Sequence, residues 1–140
     1  MKLPDVNVWL AAAWARHSKH ESARQWLDAE TDDIGFCRVS QMTLLRLLTN
    51  PAVTKEDAMS RRKAWLVYGA LIADSRVRFY GEPEGLEALW TAFSTREDKS
   101  HLLWTDDYLA AFAKALSAEL VTLDRPLAVR HPSVRVVRLR

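Results

Sequence analysis

Carboxylates stand at three separate points where a predicted strand ends or a predicted helix begins. Asp5 follows the first apolar stretch, in "LPDVNVWLAA", and Asp124 follows the strand-like "ELVTL". Asp106 and Asp107 open an alanine-rich helical stretch, "DDYLAAFAKALS". In open parallel sheets, ligands bind beyond the carboxyl ends of the strands, so these acids could converge there. Each acid alone fits a turn or a helix start, but all of them together favour a shared site.

A group of carboxylates of this kind favours a hard divalent cation. Carboxylates brought close together raise one another's pKa unless a cation lies between them. Oxygen donors without a cysteine or histidine cluster point to Mg²⁺ or Mn²⁺. Such a cation can activate water for attack on a phosphodiester and stabilise the charge that develops. No nucleophilic triad is evident, since Cys37 lies in a predicted apolar strand and the four histidines are scattered.

The elements that must position these acids alternate in a way typical of α/β proteins. Short apolar stretches predict strands, and longer stretches with apolar residues three or four apart predict helices. We expect a central, mostly parallel sheet with helices on both faces, an α/β/α sandwich. Ser40, Thr54 and Thr105 are predicted N-caps. The predicted strands are 1–5, 34–39, 76–80, 118–123 and 133–139, and the predicted helices are 7–16, 20–30, 41–49, about 54–73, 83–94 and 106–117.

Length and composition indicate one folded domain spanning residues 1–140. The longest apolar run, 64–73, is shorter than the roughly 18 residues that a membrane helix needs. No secretory signal is recognised after Met1, and the single cysteine excludes an internal disulfide. These features predict a cytoplasmic protein without a membrane segment.

The last twenty residues are basic although the whole chain has a formal net charge of only +2. Clustered arginines can neutralise a nucleic-acid backbone, whereas a solvated surface strand explains them equally well. Arg125, which directly follows Asp124, belongs to this basic tail. The arginines of this basic tail that could contact phosphates are Arg125, Arg135, Arg138 and Arg140.

Four segments in order resemble the PIN-domain ribonucleases, specifically the VapC-type toxins of bacterial toxin–antitoxin pairs: "LPDVNVWLAA", "RLLTNPAV", "LWTDDYLAAFA" and "LVTLDRPLA". The resemblance covers essentially the whole chain. It implies a Mg²⁺- or Mn²⁺-dependent site that cuts a structured RNA such as tRNA or rRNA, a cognate VapB-type antitoxin, and usually a homodimer. It also implies that Asp5, Asp106 and Asp124 are the catalytic, metal-holding acids. Asn7 and Thr122 match polar positions that orient ligands or water.

One position departs from the family pattern. Many relatives carry a glutamate in an "S-x-x-T-x-x-E" helix, where "SQMTLLR" has Arg46. Asp107, or a water held by Thr43, could fill that place, or the site could bind metal weakly. Arg46 is either a phosphate contact or an exposed helix arginine, and "RLLTNPAV" resembles a subgroup in which the glutamate is commonly absent. The alternative function is a non-catalytic PIN-like module that binds RNA or protein but has lost turnover.

Tryptophan is abundant, with six residues that mostly fall at helical spacing among other apolar side chains. This pattern favours core or interface positions over base stacking. Trp104 differs because it lies two residues before Asp106, where it could stack on an RNA base or prove structural. For the antitoxin, we expect an arginine or lysine to enter the acidic pocket and apolar residues to pack near the first helices.

Overall fold

The computed structural model describes residues 1–140, and its five strands form one sheet in which every pairing is parallel. The strand order is β3-β2-β1-β4-β5, so the first strand lies at the centre. The predicted parallel sheet flanked by helices is therefore confirmed. The strands are β1 (Lys2–Pro4), β2 (Ile34–Phe36), β3 (Val77–Phe79), β4 (Glu119–Thr122) and β5 (Val136–Arg138).

Eight α-helices connect and cover the strands, and a short 3₁₀ turn spans Lys55–Asp57. No helix is long and apolar enough to cross a membrane. The helices are α1 (Val6–Ala13), α2 (His20–Ala29), α3 (Arg38–Leu48), α4 (Pro51–Thr54), α5 (Arg61–Ile72), α6 (Leu86–Ser94), α7 (Trp104–Ala115) and α8 (Arg125–Arg130).

Two separate clusters of buried apolar side chains hold the layers together. Leu3 and Leu120 of the central strands pack with residues of α6 and α7 in one cluster. Ile34 and Phe36 of β2 pack with residues of α1, α2, α3 and α5 in the other, where Trp9 stacks on Phe36 with ring centroids 3.9 Å apart. Helices on both faces bury β2 completely and most of β4, which explains their largely apolar sequences.

The register of the central strands brings distant parts of the sequence to one edge of the sheet. Pro4 of β1 is aligned with Val121 of β4, so the residues that follow both strands leave the sheet side by side. The helix α7 leads directly into β4 and runs back along the sheet, so its first turn lies at this same edge. The carboxyl-terminal edge of the sheet therefore collects the ends of β1 and β4 and the start of α7.

The three predicted N-caps are wrong. Cys37 occupies the N-cap of α3, and the Ser40 hydroxyl, inside the helix, accepts a hydrogen bond from the Cys37 backbone N–H at 3.1 Å. Thr54 ends α4, while Ser60 caps α5 by accepting a backbone N–H bond. Thr105 is the second residue of α7. Neighbouring serine and threonine residues have similar capping propensity, so local sequence does not choose among them.

Four further features of the elements differ from the prediction. The first helix ends at Ala13 rather than at residue 16, with Trp14 as its C-cap in an extended conformation. Helix α6 begins at Leu86 after Gly85, whose positive φ of 81° suits glycine, so the preceding proline lies outside the helix. Helix α8 was not predicted at all. Cys37 is fully buried as expected, but it begins a helix instead of lying within β2.

Candidate active site

The carboxylate of Asp5 is buried where β1 passes into α1. As the N-cap of α1, it accepts a hydrogen bond from the backbone N–H of Val6 at 2.6 Å. Its other oxygen accepts a bond from the Thr122 hydroxyl at 3.1 Å. Burial raises the pKa of Asp5, while the bonds from Thr122 and Val6 act in the opposite direction and the charge of Asp124 adds to the rise. The carboxylate is thus held in a fixed orientation.

Thr122 connects the two acids that follow the central strands. Besides donating to Asp5, its hydroxyl accepts a bond from the backbone N–H of Asp124 at 2.9 Å. Asn7 reaches the same turn, because its carbonyl oxygen accepts a bond from the Leu123 N–H at 3.2 Å and its amide nitrogen lies 3.5 Å from the Thr122 hydroxyl. Asn7 and Thr122, the two predicted polar positions, therefore stabilise the turn that carries Asp124 beside Asp5.

Asp106 completes the acidic group from the first turn of α7. Its pKa is raised to about 6, first by burial and then by the negative charges of Asp5 and Asp124. The positive charge of Arg130 partly opposes this rise. Burial and the neighbouring negative charges thus act in the same direction on Asp106. The structure brings Asp5, Asp106 and Asp124 to the same edge of the sheet, as the sequence predicts.

The donor chemistry of this group fits a hard divalent cation, although the side chains are not closed around a single point. No three acidic, histidine or cysteine side chains converge closely enough to hold a metal ion. Uncompensated carboxylates repel one another, and a cation between them would relieve the repulsion that raises the pKa of Asp106. The residues present therefore suit Mg²⁺ or Mn²⁺, with some movement of the side chains on binding.

Asp107 faces a different set of partners from those of its neighbour Asp106. Its buried carboxylate accepts two bonds from the Arg130 guanidinium, at 2.8 and 3.1 Å. The Nε2 atom of His131, which is also buried, lies 2.8 Å from the same carboxylate. In this arrangement Asp107 anchors the end of α8 to the start of α7, and its part in replacing the missing glutamate stays a prediction.

Arg130 and His131 are site residues that the sequence did not reveal. They lie at the end of α8, a six-residue helix that was not predicted, and their partner is more than twenty residues earlier. Burial lowers the pKa of His131, and Asp107 opposes this effect. The only sequence signal was the basic character of the tail, which does not distinguish an internal ion pair from surface charge.

Thr43 and Arg46 lie on α3 and form no hydrogen bond or ion pair with the acids. The Thr43 side chain is half-buried, and no hydrogen bond of its hydroxyl is seen. Arg46 is exposed and borders a shallow groove between α3 and α5 together with Met42, Arg61 and Trp65. Neither residue supplies an obvious substitute for the missing carboxylate.

Trp104 begins α7 with an indole that is 55% exposed. Its ring packs edge-to-face on Trp90, with centroids 6.3 Å apart, and its carbonyl accepts a bond from the Trp90 indole N–H at 3.1 Å. The ring is therefore both accessible and held in place.

The basic tail lies along one edge of the sheet, because β5 is a terminal strand that pairs only with β4. Arg135 donates a bond to the Ser117 carbonyl at 3.3 Å and lies 4.0 Å from Glu119. Arg138 and Arg140 are exposed. Arg125, the first residue of α8, is also exposed and lies next to Asp124.

A parallel sheet of this topology, with acids at the carboxyl ends of its central strands, defines the class of protein. Residues 2–130 match the family described as "PIN domain". The chain is 45% identical to Ribonuclease VapC41 of Mycobacterium tuberculosis over 130 residues, which is 89% of each protein. It is 31% identical to Ribonuclease VapC29 of the same species over 135 residues, which is 96% of this chain and 94% of that protein. The chain therefore belongs to the PIN-domain family, among its VapC-type toxins.

Solved structures agree with this fold. Mycobacterium tuberculosis VapC20, described as a "Sarcin-Ricin loop cleaving toxin", matches with a TM-score of 0.71 at 16% identity, covering 91% of this chain and 93% of that one. VapBC2 from Rickettsia felis, "bound to a DNA fragment from their promoter", matches with a TM-score of 0.72 at 16% identity, covering 99% and 98%. At such low identity these similarities speak for the fold alone.

Proposed function

We propose that the chain is an endoribonuclease toxin that uses Mg²⁺ or Mn²⁺ held by Asp5, Asp106 and Asp124 to cut a structured RNA, a tRNA or rRNA. The observation that carries this proposal is the position of the three acids at the carboxyl-terminal edge of the sheet, where the Thr122 hydroxyl joins the turns of Asp5 and Asp124 and burial raises the pKa of Asp106. Perturbed acids grouped at the ligand-binding edge of a parallel sheet are typical of functional sites. Relatives over most of the chain are named ribonucleases.

The residues of the chain have distinct parts in this chemistry. Thr122 and the Val6 N–H hold the buried Asp5 carboxylate in one orientation, and Thr122 also fixes the backbone of Asp124. A bound divalent cation supplies Lewis-acid stabilisation of the negative charge that develops on the phosphate. Asp106, with a pKa of about 6, changes its protonation near neutral pH, so its charge is available to a cation or a proton.

The proposal is tested by incubating the purified protein with total tRNA and rRNA, with Mg²⁺, with Mn²⁺ and with chelator. We expect cleavage that depends on the divalent ion and is lost in Asp5→Ala, Asp106→Asn and Asp124→Asn. The matched control is Asp28→Asn, an exposed acid on α2 that pairs with Arg24. Cleavage that survives chelation, or that is equal in the control and the Asp106 variant, would contradict the proposed site.

A non-catalytic binding module is the second candidate function. Two observations favour it: Arg46 stands where many relatives have a glutamate, and no three acids converge on one point. The same assay separates the candidates, provided that RNA binding is measured alongside cleavage. Binding that is retained without turnover at any divalent concentration would support the module and exclude the nuclease.

We also propose that a VapB-type antitoxin inhibits the site and that the chain forms a homodimer. Structures of related assemblies include VapBC2 from Rickettsia felis and FitAB. Contrary to expectation, no large apolar residue is exposed on α1 or α2, whereas Met42, Trp65 and Leu66 are exposed on α3 and α5. We propose that a partner helix packs on these exposed side chains of α3 and α5.

The inhibitory contact is expected to involve an arginine or lysine of the antitoxin, because a planar guanidinium matches carboxylates well. Such a side chain would compete with the cation for Asp5, Asp106 and Asp124. Raising Mg²⁺ at fixed ionic strength should then weaken antitoxin binding, and the sensitivity should decrease in Asp106→Asn. An antitoxin affinity that does not change with Mg²⁺ would show that the antitoxin blocks RNA elsewhere on the surface. Light scattering of the free chain tests the proposed homodimer.

A further inference from the structure

A pocket of about 260 Å³ lies between the loop 95–103, the first turn of α7 and the end of α8. Its walls include the exposed Trp104, the ion pair of Asp107 with Arg130, and three basic side chains from the loop. The basic residues of the loop are Arg96, Lys99 and His101. None of these three was singled out by the sequence patterns.

Two cations of this loop are available to a ligand. Lys99 makes no ion pair, and Arg96 binds only carbonyl groups, with its Nε donating to Phe93 at 3.0 Å. By contrast, the charge of Arg130 is largely neutralised by Asp107, and its further contact, Asp98, lies 4.0 Å away. An anion entering the pocket would therefore meet Arg96 and Lys99 as unpaired positive charges, which suits a phosphate group.

The aromatic wall of the pocket suits a nucleobase. Trp104 is 55% exposed, while its edge-to-face contact with Trp90 and the bond from the Trp90 indole to its carbonyl restrict its movement. A preorganised indole loses little conformational freedom when a base stacks on it. Basic side chains beside an exposed aromatic ring are the combination that binds single-stranded nucleic acids.

The pocket is linked to the acids through α7. Trp104 and Asp107 of the pocket wall and Asp106 of the acidic group all lie in the first turn of α7. A polynucleotide that crosses this turn would contact both the acids and the pocket.

We infer that this pocket is a subsite for one nucleotide of single-stranded RNA next to the cleaved phosphodiester, with the base on Trp104 and a phosphate at Arg96 and Lys99. The inference rests on the proposed nuclease function for the position of the cleaved bond. The binding chemistry itself is independent of turnover, so binding and cleavage can be measured separately.

The test measures binding of a fluorescent single-stranded RNA of mixed sequence, about twelve nucleotides long, in chelator, so that no cleavage occurs. The variant Arg96→Gln with Lys99→Gln is compared with Arg62→Gln with Lys63→Gln, which removes the same charges from exposed positions on α5. Melting temperatures confirm that both proteins are folded. A mononucleotide competitor in a parallel arm shows whether the pocket takes free nucleotide or needs the polymer.

Loss of one phosphate contact should reduce the slope of log Kd against log salt by about 0.7. Between about 50 and 200 mM salt, the wild-type affinity should therefore fall about 2.6-fold more than that of the loop variant. The α5 control should keep the wild-type slope. Equal slopes for the loop variant and the α5 control would overturn the phosphate assignment.

Stacking is tested at Trp104 itself. Trp104→Ala should weaken RNA binding about fivefold or more, while Trp104→Phe should keep most of the affinity. Equal affinity of the alanine variant and the wild type would overturn the stacking assignment. Cleavage by the wild type is measured separately with Mg²⁺, so binding through this pocket without any cleavage would support the subsite and contradict only the proposed nuclease.

Discussion

Asp106 and Asp107 are adjacent carboxylates on one helical turn, and replacing each by asparagine should have opposite effects. Asp107→Asn removes the charge that compensates Arg130 and one acceptor of the buried His131 contact. Removing one partner of a buried ion pair costs about 3–5 kcal/mol. The Asp107 side chain is 3% exposed but that of Arg130 is 18% exposed, so the stranded guanidinium regains some hydration. We therefore expect a loss of about 2–3 kcal/mol in the free energy of unfolding.

The size of this loss can be checked by melting. For a chain of this length the unfolding entropy is about 0.3 kcal/mol per kelvin, so Asp107→Asn should melt about 7–10 °C below the wild type. Asp106→Asn should melt at the wild-type temperature or above it, because it removes a repelled charge. Calorimetry at neutral pH in chelator measures both.

The effects of the two variants on RNA cleavage should be the reverse of their effects on stability. Asp106→Asn should lose divalent-dependent RNA cleavage, whereas Asp107→Asn should keep most of it well below its melting temperature. The two variants serve as controls for one another, since they are the same isosteric change one residue apart. An unchanged melting temperature in Asp107→Asn, or an equally large drop in Asp106→Asn, would refute the assignment of one acid to the fold and the other to the site.

Three further predictions concern pH, the linking threonine and the tail. A pKa of about 6 for folded Asp106 lies above its unfolded value, so the stability that Asp106 contributes is present at low pH and lost as pH rises. The melting-temperature advantage of Asp106→Asn over the wild type should therefore grow from about pH 4 to about pH 7 without divalent ions. A constant difference between the two melting temperatures would disprove the shift. Thr122→Val, which removes a hydrogen bond that lowers the pKa of Asp5, should move the acidic limb of the cleavage profile to higher pH, while Thr122→Ser should not. Replacing Arg135, Arg138 and Arg140 by glutamine should flatten the salt dependence of RNA binding if these arginines contact phosphates. An unchanged slope would show that they form a solvated edge.

The sheet and the main acids were predictable because they depend on short-range patterns. Apolar runs marked each strand, and an acid directly after a strand of a parallel sheet must lie at its carboxyl edge. Helix starts were less predictable, since Cys37 and Ser40 are three residues apart and only tertiary packing decides which one begins α3. Local propensity is a weak guide to such boundaries.

The partners of Asp107 could not be read from the sequence. Which of Asp106 and Asp107 faces the other acids depends on the phase of α7 and on Arg130 and His131, which lie far along the chain. Those two residues are placed by α8, whose six residues carry too little periodicity to be recognised. Long-range ion pairs of this kind are determined by the folded arrangement and leave no spacing rule in the sequence.

The central position of β1 has a consequence for the growing chain on a ribosome. Asp5 is synthesised first, but its partners Thr122 and Asp124 follow more than a hundred residues later, after β4 has been made. Contacts between such distant segments form late, since the long loop between them must close first. A nascent or truncated chain that stops before β4 therefore carries only part of the acidic group, and the toxic activity proposed for the protein would begin only once translation has passed residue 124.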